Sequence, residues 1–207
     1  MAVSHIEVIV EEASTEAALR QLLPKILDDI SFEVYAHQGK DELLKQLPNR
    51  LRGYSHFIPD DWRILVIVDR DDDDCKELKA ELEQAAVDAA FETRSTRRNS
   101  KYVVLNRIAI EELEAWYFGD WPAVLEVFPR LSTTVPQQAK YRNPDGILGG
   151  TWEAFERLCQ KAGYYKNGLR KIDAATTIAS RMVPTRNRSR SFQVLRDALT
   201  ELAAETE

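Results

Sequence analysis

The first half of the chain alternates between β-branched apolar segments and segments with helical spacing of apolar residues. His5–Val10 (HIEVIV) and Trp62–Val68 (WRILVIV) predict strands, because β-branched residues dominate both. Phe32–His37 and Tyr102–Ile110 predict two more strands. The uninterrupted apolar run at Trp62–Val68 is typical of a central strand that is buried on both faces.

Apolar residues recur with a helical period between these strands. The predicted helices cover residues 14–27, 41–51, 71–90 and 111–118. Ser14 is the expected N-cap of the first helix, and Pro48 predicts a kink or an early end in the second. The resulting order β-α-β-α-β-α-β predicts an α/β fold with a mostly parallel sheet flanked by helices.

The pattern changes from Gly119 onward. Prolines and glycines recur, and helical periodicity returns in Trp152–Ala162, Ile172–Arg181 and Ser191–Ala204. We therefore divide the chain into an α/β core at 1–118 and a C-terminal helical extension at 119–207. We expect the extension to pack against the core rather than to form a free domain.

The composition is that of an ordinary globular protein. The chain has 207 residues, of which 44% are hydrophobic and 30% are charged. No apolar run approaches the roughly 20 residues of a membrane span, and no secretory signal opens the chain. The two cysteines, Cys75 and Cys159, lie far apart and suggest neither a zinc site nor a disulfide framework. We expect a cytoplasmic protein without a membrane partner, whose oligomeric state stays open.

Taken over the whole chain, the net charge of −6 argues against a nucleic-acid binder. The distribution is uneven, however. Basic residues are concentrated in 94–107 and 166–190, whereas acidic residues are concentrated in 7–16, 69–83 and 111–114. A local basic face is therefore compatible with the overall acidic charge.

Acidic residues follow two of the predicted strands. Glu11 follows the first strand, and Asp69 and Asp71 follow the third. Ligands of parallel α/β sheets bind at the carboxyl ends of strands, so these side chains converge if the two strands are neighbours. Ionised carboxylates that share a small volume need a neutralising cation. Mg²⁺ is the expected ion, with Mn²⁺ as the alternative, because hard cations prefer oxygen ligands.

A structural role is the alternative for part of this acidic run. Asp72 and Asp74 are at the start of a predicted helix, where carboxylates cap the backbone and compensate the helix dipole. A calcium loop of the EF-hand type is excluded by spacing. Counted from Asp69, the sixth and twelfth positions hold Asp74 and Ala80, where that loop requires Gly and Glu.

Several stretches together resemble a known family over nearly the whole chain. These stretches are VEEASTEAALRQLLPKIL, QGKDELLKQLPNRLRGY, DWRILVIVDRDDDDC, LNRIAIEELEAWYFGD, YRNPDGILGGTWEAFERL and RNRSRSFQVLRDAL. The chain resembles a bacterial Toprim-like family, the domain of unknown function family four-two-seven-six. The Toprim fold occurs in topoisomerases, primases and nucleases, and the resemblance implies a Toprim-like α/β core.

The resemblance implies roles for individual acidic residues. The Toprim glutamate falls on Glu11 and the Asp-x-Asp pair on Asp69 and Asp71, which are the implied catalytic residues. Glu11 binds metal or acts as a general acid or base. Glu12 stands where many Toprim proteins have Gly, and Glu16 is one residue later than the second acid of Toprim nucleases. The implied metal ligands are Glu11, Glu12, Asp69, Asp71, Asp73 and Glu114. Glu112 and Glu114 either complete a second metal site or form the charged first turn of a helix.

The implied activity is that of a Mg²⁺-dependent nuclease or a related phosphoryl-transfer protein, with a role in bacterial defence. Two metals about 3.5–4 Å apart can activate water and stabilise the leaving oxygen of a phosphodiester. The alternative is a non-catalytic, Toprim-derived module that binds a partner protein or nucleic acid. The sequence shows no ATPase module, which many Toprim nucleases carry, so we expect the chain to act alone or with a separately encoded ATPase partner.

Cationic side chains are required if the partner is nucleic acid. The candidates are Arg97, Arg98, Lys101, Arg107, Arg170, Lys171, Arg186, Arg188 and Arg190. The segment RNRSRS mixes Arg with Ser donors, which suits phosphate contacts, although a solvated loop has the same composition. Lys40 either points into the same cleft or lies on the surface. Trp116, Tyr117, Trp121 and Trp152 are expected in the core rather than as base-stacking platforms.

Overall fold

A single parallel sheet organises the chain. The computed structural model describes residues 2–71, 73–97, 102–109 and 112–204. The strands are β1 (His5–Val10), β2 (Ser31–Ala36), β3 (Trp62–Asp69) and β4 (Val104–Ala109), in the order β2-β1-β3-β4. All three pairings are parallel. The long apolar strand β3 lies between two neighbours, as its uninterrupted pattern predicts.

Eight α-helices surround this sheet in the described part of the chain. They are α1 (Ala13–Leu22), α2 (Lys40–Tyr54), α3 (Cys75–Asp88), α4 (Glu114–Gly119), α5 (Trp121–Val127), α6 (Thr151–Lys161), α7 (Lys171–Arg181) and α8 (Arg190–Ala204). Short 3-10 turns occur at Leu23–Lys25, Val135–Gln137, Ala139–Tyr141 and Pro144–Gly146. The predicted fold class, an α/β protein with a parallel sheet, flanking helices and a helical C-terminal part, is confirmed.

The structure differs from two predictions about helix ends, the early end of α2 at Pro48 and the N-cap of α1 at Ser14. Helix α2 continues through Pro48 to Tyr54, because its buried side chains Leu47 and Leu51 hold the C-terminal half against the sheet. The N-cap position of α1 is Glu12 rather than Ser14, which lies buried in the first turn.

The acidic loop also differs from its prediction, because helix α3 begins at Cys75 and not at Asp71. Asp71 has a φ of 48°, in the left-handed region, so it cannot continue a right-handed helix. Asp74 is the N-cap, and its carboxylate accepts from the backbone N–H groups of Lys76 and Glu77 at 2.8 and 3.1 Å. The predicted capping role of Asp74 is therefore confirmed, whereas Asp72 lies outside the described residues.

The strand register brings the predicted acidic residues to one edge of the sheet. Val10 of β1 is opposite Ile67 of β3, so Glu11 follows at the level of Val68, one residue before β3 ends in Asp69. Asp69 is in turn opposite Ala109, the last residue of β4. The condition on which the sequence argument depended, that the first and third strands are neighbours, is met.

The C-terminal helices pack on the same core. Helix α7 packs against α1, and α8 contacts β4. One apolar cluster joins Leu19 of α1, Ala174 of α7 and Phe192 of α8. Lys25 strengthens this contact by donating to the carbonyl groups of Ala179, Ser180 and Met182 at the end of α7. The boundary between core and extension at residue 118 stays a prediction.

Candidate metal centre

The carboxyl ends of β1 and β3 are joined directly. Glu11 follows β1, and its Oε2 accepts a hydrogen bond of 3.2 Å from the backbone N–H of Asp69. Burial raises the pKa of Glu11, and the nearby Asp71 carboxylate raises it further, while the hydrogen bond from Asp69 opposes both. The carboxyl group of Glu11 therefore stands at the point where the two strands end.

Asp69 and Glu114 are the buried acids of this edge. Their exposed fractions are only 6% and 2%. Burial raises the pKa of Asp69 well above its ordinary value, and the charges of Glu11, Glu114, Glu12 and Asp71 act in the same direction. Burial also raises the pKa of Glu114, to about 7. The fold thus holds two carboxyl groups where water cannot solvate their ionised forms.

Lys40 is a cation on the outer side of the edge. Its Nζ lies 2.7 Å from Asp71 Oδ2 and 2.7 Å from Asp73 Oδ2, and it donates to the carbonyl of Arg70 at 3.1 Å. Burial favours the neutral amine, but the two carboxylates outweigh it and raise the pKa of Lys40. Of the two positions proposed for Lys40, the structure places it in the cleft.

A cavity of about 410 Å³ opens above these side chains. Its lining residues are Glu11, Gln38, Gly39, Lys40, Asp41, Asp71 and Asp73. Gly39 has a φ of 107°, which L-residues rarely adopt, and this turn directs the chain from β2 into α2 so that Lys40 enters the cavity. The structure thus brings Glu11, Asp71 and Asp73 together at one opening.

The candidate ligands suit a hard divalent cation, because all of them are carboxylate oxygens. The arrangement is nevertheless not a finished ion site. Within residues 2–71, 73–97, 102–109 and 112–204, no three His, Cys, Asp or Glu side chains are grouped so that they could hold a metal ion. Lys40 occupies the oxygen-rich position between Asp71 and Asp73. A metal ion would require the carboxylates to rotate toward each other and to release this ammonium.

Three other acids of the prediction have structural partners. Glu12 accepts a hydrogen bond from the Ser14 hydroxyl at the start of α1. Glu16 forms an ion pair of 2.8 Å with Arg20 one turn along the same helix. Glu112 accepts from the backbone N–H and the hydroxyl of Thr151, both at 2.8 Å, and from the N–H of Trp152 at 2.9 Å. It therefore caps α6, a role that its sequence position does not reveal.

Lys171 and Tyr117 border the inner side of the edge. Burial disfavours the charged amine of Lys171, but the carboxylates of Glu114, Glu12, Glu112 and Asp69 together raise its pKa. Lys171 also lies 4.8 Å above the ring centre of Trp152. The Tyr117 hydroxyl is buried without a hydrogen-bond partner in the described part of the chain, and burial together with nearby Glu114 raises its pKa. Sequence reasoning missed this hydroxyl, because an aromatic run predicts core packing.

Most of the predicted nucleic-acid contacts have other partners. Arg186 forms an ion pair of 2.6 Å with the buried Asp120, and Arg97 is 3.4 Å from Glu201. Arg188 donates to the carbonyl of Arg142 at 3.4 Å. Arg190 is exposed and lines a different cavity, and Arg98 lies outside the described residues. Lys101 also lies outside the described residues, Arg107 lines the same cavity as Arg190, and Arg170 pairs with Asp173 at 2.6 Å. Among the described candidates, Lys171 is the one whose pKa is raised by the carboxylates of the acidic edge.

The aromatic residues after β4 lie in the core. Trp116, Tyr117 and Trp121 are each at most 3% exposed, and Trp116 packs edge-on against Phe192 of α8. The prediction of core packing is confirmed for these three residues. Trp152 is only half-buried, and its ring is covered by Lys171.

One comparison identifies the family. A family model described as Domain of unknown function (DUF4276) matches residues 10–200. The chain belongs to this family. No curated protein and no solved structure matches it. The DUF4276 match runs from the end of β1 into α8, so it includes the acidic edge from Glu11 to Lys171. Among the described residues of this DUF4276 chain, no helix combines the length and apolar character that a membrane crossing needs.

Proposed function

We propose that the chain is a Mg²⁺-dependent nuclease, or a related phosphoryl-transfer protein of the Toprim type, that acts in bacterial defence. The observation that carries the proposal is the environment of Asp69. A buried aspartate ends a central parallel strand, and the carboxylates of Glu11 and Glu114 act on it there. Folding such a group of acids is costly unless a cation or protons neutralise it, so its presence supports a cation-dependent function.

Glu11, Asp69 and Asp71 would hold the metal, and Glu12, Asp73 and Glu114 are the further oxygen ligands within the same group of acids. Bound Mg²⁺, or Mn²⁺ in its place, supplies Lewis-acid stabilisation of a phosphodiester and an acidic water. The chain itself contributes the two cations that flank the acids, Lys40 and Lys171. Each would supply a cation for a phosphate oxygen of the substrate, because ammonium groups are common phosphate ligands.

Proton transfer is the second contribution of the chain. Glu114 has a pKa of about 7, so it can hold or release a proton at physiological pH. Glu11 also has a raised pKa and lines the cavity, which supports the general acid or base role that the Toprim resemblance implies. Nucleic acid is the proposed substrate, and a separately encoded ATPase is the proposed partner.

Incubation with plasmid DNA and with RNA, in Mg²⁺ or Mn²⁺, tests this proposal. The Asp69→Asn variant keeps the shape of the side chain and removes its charge. We expect it to lose at least about 100-fold in cleavage rate. The matched control is Asp88→Asn, an exposed carboxylate at the far end of α3, which should cleave like the wild type. Equal cleavage by the wild type and Asp69→Asn would contradict the proposal.

A second candidate is a non-catalytic module that binds a partner protein or nucleic acid. It is favoured by the pairing of Lys40 with Asp71 and Asp73, which already neutralises the outer carboxylates without a metal. This candidate predicts no cleavage by either protein in the same assay. It further predicts that the wild type and Asp69→Asn retain the same affinity for their partner.

A further inference from the structure

A groove on the C-terminal part of the chain is lined by basic side chains. One cavity, of about 390 Å³, lies between the segment 130–141 and α6, and a second, of about 270 Å³, adjoins it. The two cavities share Lys140, Tyr141 and Arg157, so they form one continuous groove, which we call the basic groove. Its cations are Arg130, Lys140, Arg157 and Lys161. Among the described residues, no Asp or Glu lines either cavity.

The four cations are exposed and lack counter-charges. Arg130 donates to the carbonyl of Gly163 at 3.2 Å and lies 4.1 Å above the ring centre of Tyr164. The Nζ of Lys140 lies 4.5 Å from the ring centre of Tyr141. In the part of the chain that the structure describes, none of the four is paired with a carboxylate. Their charges are therefore accessible to a ligand from the solvent.

The arrangement of these cations is unfavourable without a ligand. Arg157 and Lys161 are four residues apart on α6, a spacing at which like charges repel each other. The chain as a whole has a net charge of −6, so a group of four positive charges runs against its composition. Isolated surface cations need only water, whereas a group that faces one groove raises the local concentration of anions.

The extent of the basic groove favours a polymer with many phosphates. A single phosphate group would occupy only part of two adjoining cavities, whereas a row of phosphates can contact all four cations. Arg157 and Lys161 are about 6 Å apart along the axis of α6. Phosphates recur every ~3.4 Å of axis along one strand of duplex DNA, so the two side chains match about two steps of such a strand.

The lining of the groove favours contacts with the backbone over contacts with bases. Proteins that bind single strands combine cations with exposed aromatic faces on which bases stack. Here Tyr141 is only 5% exposed, and the ring of Tyr164 is covered by Arg130. The side chains of Ser132 and Gln138 also line the groove, and both can donate to phosphate oxygens. These contacts leave the bases free to stay paired.

We infer that the basic groove binds the phosphate backbone of duplex nucleic acid, independently of base sequence. The identity of the polyanion rests on the proposed function. The four cations lie outside the basic segments 94–107 and 166–190, so the fold assembles a surface that the sequence does not show. Helix α6 connects this surface to the acidic edge, because Glu112 caps it at Thr151 and Arg157 follows about 9 Å along the axis.

Fluorescence anisotropy with a labelled DNA duplex, in EDTA and at several salt concentrations, tests the inference. EDTA keeps metal-dependent cleavage out of the measurement. Each lost phosphate contact reduces the slope of log K against log salt by about 0.9. Arg157→Gln/Lys161→Gln should therefore reduce the slope by about 1.8 and weaken binding at least about tenfold in ~0.1 M salt. Lys45→Gln/Arg52→Gln, which removes two exposed cations of α2, is the charge-matched control and should keep the wild-type slope.

Two further variants separate binding from a structural role. Arg157→Lys/Lys161→Arg exchanges the two cations and should keep the wild-type slope. The melting temperature of Arg157→Gln/Lys161→Gln should equal or exceed that of the wild type, because the exchange removes a repulsion on the surface. If that variant fails to fold, Lys140→Gln decides, with an expected reduction of the slope by about 0.9.

The inference is overturned if the wild type does not bind the duplex in about 50 mM salt, or if the slope is unchanged in Arg157→Gln/Lys161→Gln. Tighter binding of a single-stranded oligonucleotide or of polyglutamate would overturn it equally. The proposed function is judged separately. Duplex binding that depends on the groove, without cleavage in Mg²⁺ or Mn²⁺, would refute the nuclease alone. Cleavage together with an unchanged slope would refute the groove alone.

Discussion

The carboxylate of Glu11 accepts a hydrogen bond from the backbone N–H of Asp69, across 3.2 Å, and so joins the ends of two neighbouring strands. The same side chain faces the cavity that Lys40, Asp71 and Asp73 line. Glu11 therefore has a structural and a chemical role, and substitutions can separate the two.

Glu11→Ala should lower the free energy of unfolding by about 1–2 kcal/mol, because the Asp69 N–H loses its acceptor. Glu11→Gln retains an acceptor oxygen and should be at least as stable as the wild type. Both variants lose the negative charge, so both should bind Mn²⁺ more weakly. Urea unfolding and calorimetric titration with Mn²⁺ measure the two effects. Equal stability losses in both variants would contradict the structural role of this hydrogen bond.

Glu114 should make the stability of the protein depend on pH. Its pKa is raised from 4.5 to about 7, so in that interval the folded state keeps a proton that the unfolded state has released. Stability should therefore fall as the pH rises from 4.5 to about 7 and should level off above that value. Glu114→Gln removes the contribution of Glu114 to this pH dependence and should be more stable than the wild type at about pH 8, by up to roughly 3 kcal/mol.

Urea unfolding at several pH values in EDTA measures this difference between Glu114→Gln and the wild type. The difference should shrink toward zero below the unfolded pKa. Glu81→Gln, an exposed glutamate of α3, is the control and should show no such dependence. A difference that stays constant across the pH range would show that Glu114 is not the titrating group.

Lys40 should compete with a divalent cation for Asp71 and Asp73. Its ammonium lies 2.7 Å from an oxygen of each. Lys40→Met should raise the Mn²⁺ affinity about tenfold, because the metal no longer has to displace a unit charge. Lys45→Met, on the exposed side of α2, should leave the affinity unchanged. A lower Mn²⁺ affinity in Lys40→Met would mean instead that Lys40 holds the loop with Asp71 and Asp73 in the conformation that binds the metal.

We expect the main effect of Arg186 to be on the stability of the fold rather than on nucleic-acid binding. Its guanidinium contacts Asp120, which is fully buried, through bonds of 2.6 and 3.1 Å. Arg186→Met leaves that carboxylate without its counter-charge and should lower the free energy of unfolding by about 2–3 kcal/mol. Arg188→Met, two residues away and exposed, should change it by less than about 0.5 kcal/mol. If both variants were equally stable, Arg186 would be a surface cation that does not stabilise the fold.

The acidic edge could be predicted from the sequence, because strands have a strong local sequence pattern. The β-branched runs locate the ends of β1 and β3, and parallel topology brings these ends to the same edge. The positions of Glu11 and Asp69 follow from that logic alone. The continuation of α2 through Pro48 does not, because packing of the later leucines overrides the local preference of proline.

The partners of individual side chains could not be predicted, because they depend on contacts between distant segments. Glu112 caps a helix that begins 39 residues later, and Asp120 pairs with an arginine 66 residues away. In both cases the sequence shows only an acid near a helix start. The same holds for Lys171, which a basic segment suggested as a nucleic-acid contact and which lies beside the carboxylates.

The capping of α6 by Glu112 has a practical consequence for dissecting this protein. The chain directly before Glu114 is tied to the start of α6, and Lys171 reaches the same acids from α7. A fragment that ends at residue 118 would expose Glu114 to water and remove one of the two flanking cations. Activity or inactivity of such a fragment would therefore say little about the intact protein, and single substitutions in the full chain are the informative route.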